Sequence, residues 1–173
     1  NGRRSTIIMR KLSQNGLESL KKMEGIMLNV YKDVAGYPSI GIGHKLTPDE
    51  LKSRLIIIKG ESHPWSNGLT ENQVEDLKKQ DIGYHESIIN NHIKSSICQH
   101  QFDCLVSFSY NTGIGAFLNS TLFKKVNSMK FDEVPDELIK WIYITDPKTK
   151  KKLISNGLQN RRNAEVKLWK GIA

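Results

Sequence analysis

The sequence predicts an α+β fold, and three observations support this class. Apolar residues recur with helical periodicity through most of the 173-residue chain. That periodicity disappears between residues 30 and 46, where isoleucine and glycine alternate from Ile40 to Gly43 after a turn. A chain of this length buries roughly two thirds of its unfolded surface, so it holds a core without a metal or a disulfide. We expect a small antiparallel sheet and a larger, mostly helical part.

The first helix is predicted over residues 16–28, after a capping Asn15. One face of this helix comprises Leu17, Leu20, Glu24 and Met27. A carboxylate near the C-terminal end of a helix faces the negative end of the helix dipole, and an apolar surround also disfavours its charged form. Both effects favour the protonated form that a general acid uses. The alternatives are a surface glutamate on a different face and a nearby arginine that keeps Glu24 ionised.

A β-containing lobe is predicted over about residues 29–69. It opens with a turn at residues 33–36 and the alternating segment that follows. Thr47 and Pro48 form a helix start, with the proline at the first helical position. Residues 59–69 are rich in turn-forming residues, so we predict a loop inserted near the boundary of the lobe.

The remaining helical part is predicted over about residues 70–173, together with residues 15–28. A capping box from Thr70 to Gln73 opens a long helix. The apolar face of this helix carries Val74, Leu77, Asp81, Tyr84 and Ile88. Further helices are predicted over residues 99–111, 120–127, 132–143 and 159–170. The lysine run at residues 148–152 predicts an exposed loop or, alternatively, a contact with a polyanion.

Candidate catalytic groups concentrate between Glu24 and His44. Cleavage of a glycosidic bond needs a proton donor and a second carboxylate, which Glu24 and Asp33 supply. Asp33 lies in a hydrated turn, where it stays ionised and either stabilises an oxocarbenium ion or directs water. Ser39 lacks the Gly-x-Ser-x-Gly elbow of a serine hydrolase. His44 is either a base or, as we favour, one half of a structural ion pair with Asp81.

The composition limits the classes of partner. Lys and Arg number 26 against 18 for Asp and Glu, which gives a net charge of +8 and favours an anionic target or, equally, a solvated cationic surface. No motif supports a nucleic-acid partner, and no apolar run reaches the roughly 20 residues of a membrane span. Cys98 and Cys104 are spaced unfavourably for a disulfide, and the histidines lack a metal-binding pattern, so we predict no metal and no cofactor.

Three segments together resemble the phage lysozyme (endolysin) family, glycoside hydrolase family twenty-four. The first runs from Glu24 to His44 and carries Glu-Gly, Tyr-x-Asp, Gly-Tyr and Ile-Gly-x-Gly-His. The second covers residues 102–117 and 119–122, and the third is Gly-Leu-x-x-Arg-Arg-x-x-Glu from Gly157 to Glu165. The resemblance covers most of the chain, and the first segment is highly specific.

This resemblance implies a lysozyme-like fold with a cleft between the two lobes, and it assigns roles to residues. The general acid falls on Glu24 and the second catalytic carboxylate on Asp33, while Ser39 replaces the usual threonine of the family. The residues implied to line the glycan cleft are Tyr110, Asn111 and Ser120. His44 and Asp81 form the supporting pair, and Arg161 or Arg162 is the implied partner of Glu24.

The function implied is a muramidase that cleaves the β-1,4 bond between N-acetylmuramic acid and N-acetylglucosamine, with inversion favoured. The alternative is a non-catalytic module that keeps the fold and binds the cell wall or an immunity protein. A phage endolysin and the domain of a secreted effector fit equally, with action in the periplasm or cell wall after release from the host cytoplasm or secretion. We expect a monomer whose partners are glycan strands and, for an effector, an immunity or inhibitor protein.

We also expect residues 1–173 to be a single catalytic domain that is processed or excised from a larger protein. The chain begins with an asparagine rather than a methionine, and a polar lead with Arg3 and Arg4 follows.

Overall fold

The computed structural model describes residues 9–33 and 35–172, and the polar lead with Arg3 and Arg4 lies outside them. The described residues form two compact units, one of Leu17–Tyr84 and the other of residues 9–16 together with residues 85–172. Helices and small antiparallel sheets occur along the described chain, so the α+β class is confirmed. The expectation of one catalytic domain stays a prediction.

The described α-helices are α1 (Gln14–Glu24), α2 (Pro48–Ser53), α3 (Glu71–His92), α4 (Gln99–Thr112), α5 (Ile114–Asn119), α6 (Thr121–Asn127), α7 (Val134–Leu138) and α8 (Asn156–Trp169). The described strands are β1 (Met27–Lys32), β2 (Pro38–Gly41), β3 (His44–Lys45), β4 (Leu55–Ile58), β5 (Glu61–Pro64), β6 (Tyr143–Thr145) and β7 (Lys152–Ile154). Strands β1, β2 and β3 form one antiparallel sheet in that order, while β4–β5 and β6–β7 are separate hairpins.

Reciprocal caps begin two helices of the unit Leu17–Tyr84. At α2 the hydroxyl of Thr47 accepts from the backbone N–H of Glu50, whose carboxylate accepts from the N–H of Thr47. The same exchange joins Thr70 and Gln73 at the start of α3. Both caps satisfy backbone donors that the first turn of a helix leaves without a partner. The two predicted helix starts are therefore confirmed.

The buried apolar side chains of this unit come from its helices and its sheets. They are Leu17 and Leu20 of α1, Ile40, Ile42 and Leu46 of the β2–β3 region, Ile56 and Ile58 of β4, Leu69, and Val74, Leu77 and Ile82 of α3. Both isoleucines of the alternating segment, Ile40 and Ile42, are therefore part of the core. This buried set fixes the three-stranded sheet on which the candidate site residues lie.

The other unit is organised around α4, which is buried continuously from Phe102 to Ser109. Helix α8 packs against α4. The Phe108 ring meets the rings of Phe117 and Trp141 edge-on, with centroid distances of 6.3 and 5.4 Å. These aromatic contacts hold α5 and the segment before β6 against the central helix.

The predicted first helix is four residues too long at its C-terminal end. Helix α1 ends at Glu24 because Gly25 adopts a φ of 75°, and its N–H donates to the Lys21 carbonyl at 2.8 Å. Met27 therefore lies in β1 and is 44% exposed, rather than continuing the apolar face. The consequence for Glu24 is a position at the helix terminus, half-buried.

Two further sequence predictions are wrong. Residues 59–69 are not a loop throughout, because Lys59 and Gly60, both at positive φ, form a tight turn from β4 into β5. The helix predicted over 132–143 stops at Leu138, and the chain then enters β6. The lysine run begins in the turn between β6 and β7 and ends in β7 itself.

The predicted apolar face of the long helix is only partly correct. Val74 and Leu77 are buried, Asp81 is half-buried, and Tyr84 is 63% exposed. Beyond Leu77 the buried positions include Ile82 and Ile89, so the buried face shifts around the helix along its 22 residues.

Candidate active site

Glu24 is the last residue of α1, and its carboxyl group lies against the turn between β2 and β3. A Cβ atom added at Gly43 would lie 3.0 Å from Oε2 of Glu24 and 3.2 Å from its Cδ. Gly43 also has a φ of 69°, which disfavours any residue with a side chain. The absence of a side chain at Gly43 therefore makes room for the carboxyl group of Glu24.

Asp33 lies in the turn that joins β1 to β2, and backbone donors hold its carboxylate. The N–H groups of Ala35 and Tyr37 donate to Oδ1 at 2.9 and 2.8 Å. The ammonium of Lys45 is 3.6 Å from Oδ2. The Tyr37 hydrogen bond is the main reason that the pKa of Asp33 is lowered, with Ala35 and Lys45 adding to the effect and desolvation opposing it. Asp33 is thus held in its ionised form, as the turn context predicts.

Ser39 is on the central strand of the sheet, directly opposite Tyr31 of β1 and Lys45 of β3. Opposite residues of antiparallel strands share one face, so these three side chains project on the same side of the sheet. Ser39 is 1% exposed, and its hydroxyl donates to the Tyr37 carbonyl at 3.4 Å. The Ser39 hydroxyl therefore contacts the end of the turn that carries Asp33. The role of Ser39 in positioning water stays a prediction.

Tyr31 is a site residue that the sequence reasoning did not assign. Its pKa is raised, first by burial and then by the negative charges of Glu24 and Asp33. The phenol consequently lies in the electric field of both carboxylates. The signal in the sequence is the Tyr-x-Asp spacing, which places Tyr31 near the end of β1, two residues before Asp33.

His44 is clamped between two carboxylates. Its Nδ1 lies 2.8 Å from Oδ2 of Asp81, so the predicted pair is present, and its Nε2 lies 3.0 Å from Oε2 of Glu50. Burial by itself lowers the pKa of His44, but the hydrogen bonds and charges of Asp81 and Glu50 outweigh it and raise that pKa to about 9. Glu50 was missed as a partner, although its place in the Thr47 capping box fixes it near the start of α2.

Arg162 of α8 is completely buried and has structural partners. Its Nε lies 3.1 Å from Oε2 of Glu165, its Nη2 donates to Oδ1 of Asn111, and its guanidinium stacks over the Phe108 ring at 4.9 Å. Glu165 also accepts from the Ser107 hydroxyl at 2.8 Å. The pairing of Arg161 or Arg162 with Glu24 stays a prediction, and Arg162 is already part of this buried network.

The residues implied to bind glycan all have contacts within the unit that contains α4. Asn111 accepts from Arg162, and the Tyr110 ring lies 5.3 Å from the ring of His85. Ser120 is buried, donates to the Phe117 carbonyl at 2.6 Å and caps α6 by accepting from the N–H of Phe123. These contacts give Ser120 a structural role, and its contact with glycan stays a prediction.

Three further observations on the described residues concern metal binding, membrane-spanning helices and the two cysteines. Within residues 9–33 and 35–172, no three His, Cys, Asp or Glu side chains are grouped so as to hold a metal ion. Among the helices of that same part of the chain, none is long and apolar enough to cross a membrane. Cys98 and Cys104 are free thiols, one exposed and one buried.

Comparison with known proteins identifies close similarity to one family. Residues 21–165 match the model of the phage lysozyme family. The endolysin of Salmonella phage P22 is 30% identical over 77% of this chain and 84% of its own length. The endolysin of Acyrthosiphon pisum secondary endosymbiont phage 1 is 31% identical over 91% of this chain and 97% of its own. The chain covers only 55% of the endolysin of Bacillus phage PZA, which is 31% identical.

Two solved structures show the same similarity at the level of the fold. An endolysin from Escherichia coli O157:H7 phage FAHEc1 superposes with a TM-score of 0.77 at 32% identity, covering 92% of this chain and 93% of the other. The muramidase domain of SpmX from Asticaccaulis excentricus gives a TM-score of 0.76 at 25% identity over 92% and 97% of the two chains. The lysozyme-like fold implied by the sequence is confirmed.

Proposed function

The chain belongs to the phage lysozyme family, and on that premise we propose that it cleaves the β-1,4 bond between N-acetylmuramic acid and N-acetylglucosamine. As a member of this family it is a glycoside hydrolase that acts on peptidoglycan. The proposal assigns general acid catalysis to Glu24. Asp33 and Ser39 take the role of directing the attacking water.

The observation that carries this proposal is the contrast between two carboxylates of one compact unit. Glu24 ends a helix and lies against the backbone of Gly43. Asp33 accepts two backbone hydrogen bonds and faces Lys45, and its pKa is lowered. Glycosidases need one carboxyl group that donates a proton and one that is ionised. The surroundings of Asp33 suit the ionised role, which leaves the proton donor to Glu24.

The reaction then follows with balanced protons. Glu24 gives its proton to the glycosidic oxygen as the bond to the anomeric carbon breaks. Water attacks that carbon from the opposite face, and Asp33 accepts a proton from the water while Ser39 orients it. The products are two glycan ends with inverted configuration at the new reducing end. Proton return from Asp33 to Glu24 through solvent restores the enzyme.

Tyr31 gains a supporting part in this scheme. Its pKa is raised, chiefly by burial and further by the charges of Glu24 and Asp33, so it remains a neutral phenol through the neutral pH range. A neutral phenol beside two carboxylates donates a hydrogen bond to an anion without adding a negative charge.

The bond and the mechanism are tested by the ends released from purified peptidoglycan, identified by mass spectrometry. The wild-type chain is expected to release hydrolysed muramic acid ends. The Glu24→Gln variant is expected not to release them in detectable amounts. Asp33→Asn retains the oxygen that accepts from Ala35 and Tyr37, so it removes the charge with little change in the turn, and it is expected to slow release on the order of a hundredfold. Glucosamine reducing ends or anhydro-muramic acid would contradict the proposal.

The biological setting proposed is lysis of the bacterial cell wall, either by a phage endolysin or by a secreted effector domain. In both cases the chain acts in the periplasm or on the wall. The two settings differ in their partners, because an effector needs an immunity protein that protects the producing cell. Inhibition of turnover by a protein purified from the producer supports the effector setting, while lysis timed to phage release supports the endolysin setting.

A further inference from the structure

The hairpin of β6, its turn and β7, residues 143–154, exposes apolar side chains to an unusual degree. Each strand residue is exposed. The apolar side chains of Tyr143, Ile144, Leu153 and Ile154 are between 45% and 57% exposed. A two-stranded hairpin is marginally stable in water unless it packs on another apolar surface. The exposed set therefore indicates a surface that binds something outside the chain.

Apolar side chains occupy both faces of this hairpin. Tyr143 is directly opposite Ile154, and Ile144 is directly opposite Leu153. Opposite residues share a face and successive residues alternate, so each face carries one apolar pair. A flat protein surface covers one face of such a hairpin and leaves the other face in water. An environment into which the hairpin inserts covers the apolar pairs of both faces.

The turn of the hairpin is held in a defined shape. The N–H of Asp146 donates to the Lys151 carbonyl at 2.9 Å, and the N–H of Lys150 donates to the Asp146 carbonyl at 2.8 Å. The Asp146 carboxylate accepts from the N–H groups of Lys148 and Thr149 at 2.7 and 3.1 Å. Backbone donors thus engage the single acidic group of the hairpin, and they lower the pKa of Asp146, with the Thr149 hydrogen bond the largest cause.

The base of the hairpin is attached to the helices around it. Before β6, the Trp141 ring meets the Phe108 ring of α4 edge-on. After β7, the N–H of Ser155 donates to the Ile142 carbonyl at 2.8 Å, and the Ser155 hydroxyl caps α8. The apolar strands and the turn are therefore presented from a fixed base.

The hairpin is strongly cationic. Its exposed lysines are Lys148, Lys150, Lys151 and Lys152. Four lysines against one aspartate give residues 143–154 a net charge of +3. The long apolar stem of lysine lies along an apolar surface while its ammonium reaches a polar one. Lysines next to isoleucine, leucine and tyrosine are the composition of segments that bind at the interface of an anionic bilayer.

We propose that the hairpin of residues 143–154 binds the surface of an anionic phospholipid membrane. A second copy of the chain is disfavoured because two hairpins of charge +3 repel each other. A protein partner is disfavoured because lysine is depleted in protein interfaces. An anionic polysaccharide matches the charge but does not cover aliphatic side chains. Acyl chains beneath anionic headgroups match both features, and a bilayer has room for both faces of the hairpin.

The test is sedimentation of the full chain with vesicles of phosphatidylglycerol and phosphatidylethanolamine, compared with neutral phosphatidylcholine vesicles. Binding to the anionic vesicles alone is expected. Replacing the four hairpin lysines with glutamine is expected to weaken binding by roughly a hundredfold or more, since each lysine near an anionic surface contributes about fivefold. The matched control replaces four exposed lysines outside the hairpin, Lys52, Lys79, Lys124 and Lys167, with glutamine.

The apolar contribution is tested by Ile144→Thr with Leu153→Thr, which keeps the charge and the preference for a strand. This variant is expected to bind about tenfold more weakly because it places less apolar surface in the bilayer. Equal losses in the two lysine variants mean that net charge alone drives binding, and they overturn the proposal. So does unchanged binding by the threonine variant, or absence of binding by the wild-type chain.

The vesicle assay contains no glycan, so its result is independent of the proposed muramidase activity. The hairpin variants are expected to release ends from soluble glycan fragments at the wild-type rate, which also verifies that they are folded. Loss of vesicle binding together with full turnover supports a separate membrane-binding surface. Loss of turnover with retained vesicle binding places the hairpin in the catalytic machinery instead and contradicts the proposal.

Discussion

Two groups of acidic residues in the unit Leu17–Tyr84 differ in what their carboxylates face. Glu50 and Asp81 both point at one histidine, His44, and form its ion pairs. Asp33 instead is held by backbone N–H groups, with a lysine at 3.6 Å. Glu50 and Asp81 thus have a structural role, while we propose a catalytic role for Asp33. The partners of each carboxylate determine its role.

The difference in partners has an energetic meaning. A carboxylate paired with an imidazolium favours the folded state as long as both are charged. A carboxylate held by backbone donors keeps its charge but retains lone pairs for water or substrate. Variants of the first group should therefore change stability, and variants of the second should change turnover.

The largest expected effect is that of Glu24→Gln on turnover. Glutamine preserves the shape of the side chain beside Gly43 but has no acidic proton to donate. We expect release of glycan ends to fall on the order of a thousandfold, within the range of general acid catalysis. A turbidity assay on purified peptidoglycan measures this. The unfolding midpoint in urea should stay near that of the wild type, and a large drop in the midpoint would contradict the separation of roles.

The next largest effect is that of Asp81→Asn on stability. The variant removes one of the two negative charges that stabilise protonated His44, which is largely buried. A pKa raised from 6.5 to about 9 corresponds to a net contribution of roughly 3 kcal/mol to the unfolding free energy, in which the effect of the two acids exceeds the opposing effect of burial. We expect a loss of about 2 kcal/mol at pH 6, measured by urea unfolding.

The pH dependence of this stabilisation follows from the direction of the shift. The folded-state pKa of His44 is raised, so its contribution is fully present below pH 6.5 and is lost as the pH rises through about 9. The unfolding free energies of wild type and Asp81→Asn should therefore converge toward about pH 10. His44→Gln serves as the control, because it lacks the titrating group. If the difference in unfolding free energy between wild type and Asp81→Asn persists unchanged at that pH, the stabilisation does not arise from protonated His44.

A smaller effect is expected for Ser39→Ala. The variant lacks the hydroxyl that we propose orients the attacking water, and the loss of one such hydrogen bond should slow turnover about tenfold. Ser39→Thr is the matched variant, since threonine keeps the hydroxyl and adds the methyl group that restricts its rotamer. Steady-state rates on soluble glycan fragments compare the two, and equal rates for serine and alanine would remove Ser39 from the mechanism.

The smallest effect is expected for Lys45→Met. Lys45 is 3.6 Å from Asp33 and mostly exposed, and it is a lesser cause of the lowered pKa of Asp33 than the backbone hydrogen bonds. The variant should move the acid limb of the pH–rate profile to higher pH. At neutral pH the rate should stay within about twofold, as for the loss of an exposed ion pair. A shift in the opposite direction would contradict the arrangement around Asp33.

Much of the fold follows from local sequence signals. Capping at Thr47 and Thr70 and the alternation from Ile40 to Gly43 predict elements that the structure contains, because these signals act over a few residues. The hairpins β4–β5 and β6–β7 were missed. Their strands are short, and the lysines of the second resemble those of a solvated loop, so strand pairing is what distinguishes them from loops.

The candidate site was predictable to a similar degree. Glu24, Asp33 and Ser39 of the motif from Glu24 to His44 lie in one compact unit, whereas the sequence placed Glu24 with the helical part, and their catalytic roles stay predictions. The second partner of His44, Glu50, was not predicted, since two side chains six residues apart meet there only through the fold of β3 and α2. The burial of Arg162 depends on packing against α4, which sequence spacing does not reveal.

The division between reacting and scaffold carboxylates is tested most directly by the rate of end release per folded molecule for Glu24→Gln and Asp81→Asn. The folded fraction is measured by circular dichroism on the same samples. We predict that Glu24→Gln loses on the order of a thousandfold while Asp81→Asn stays close to the wild-type rate. Similar losses in both variants would contradict this division.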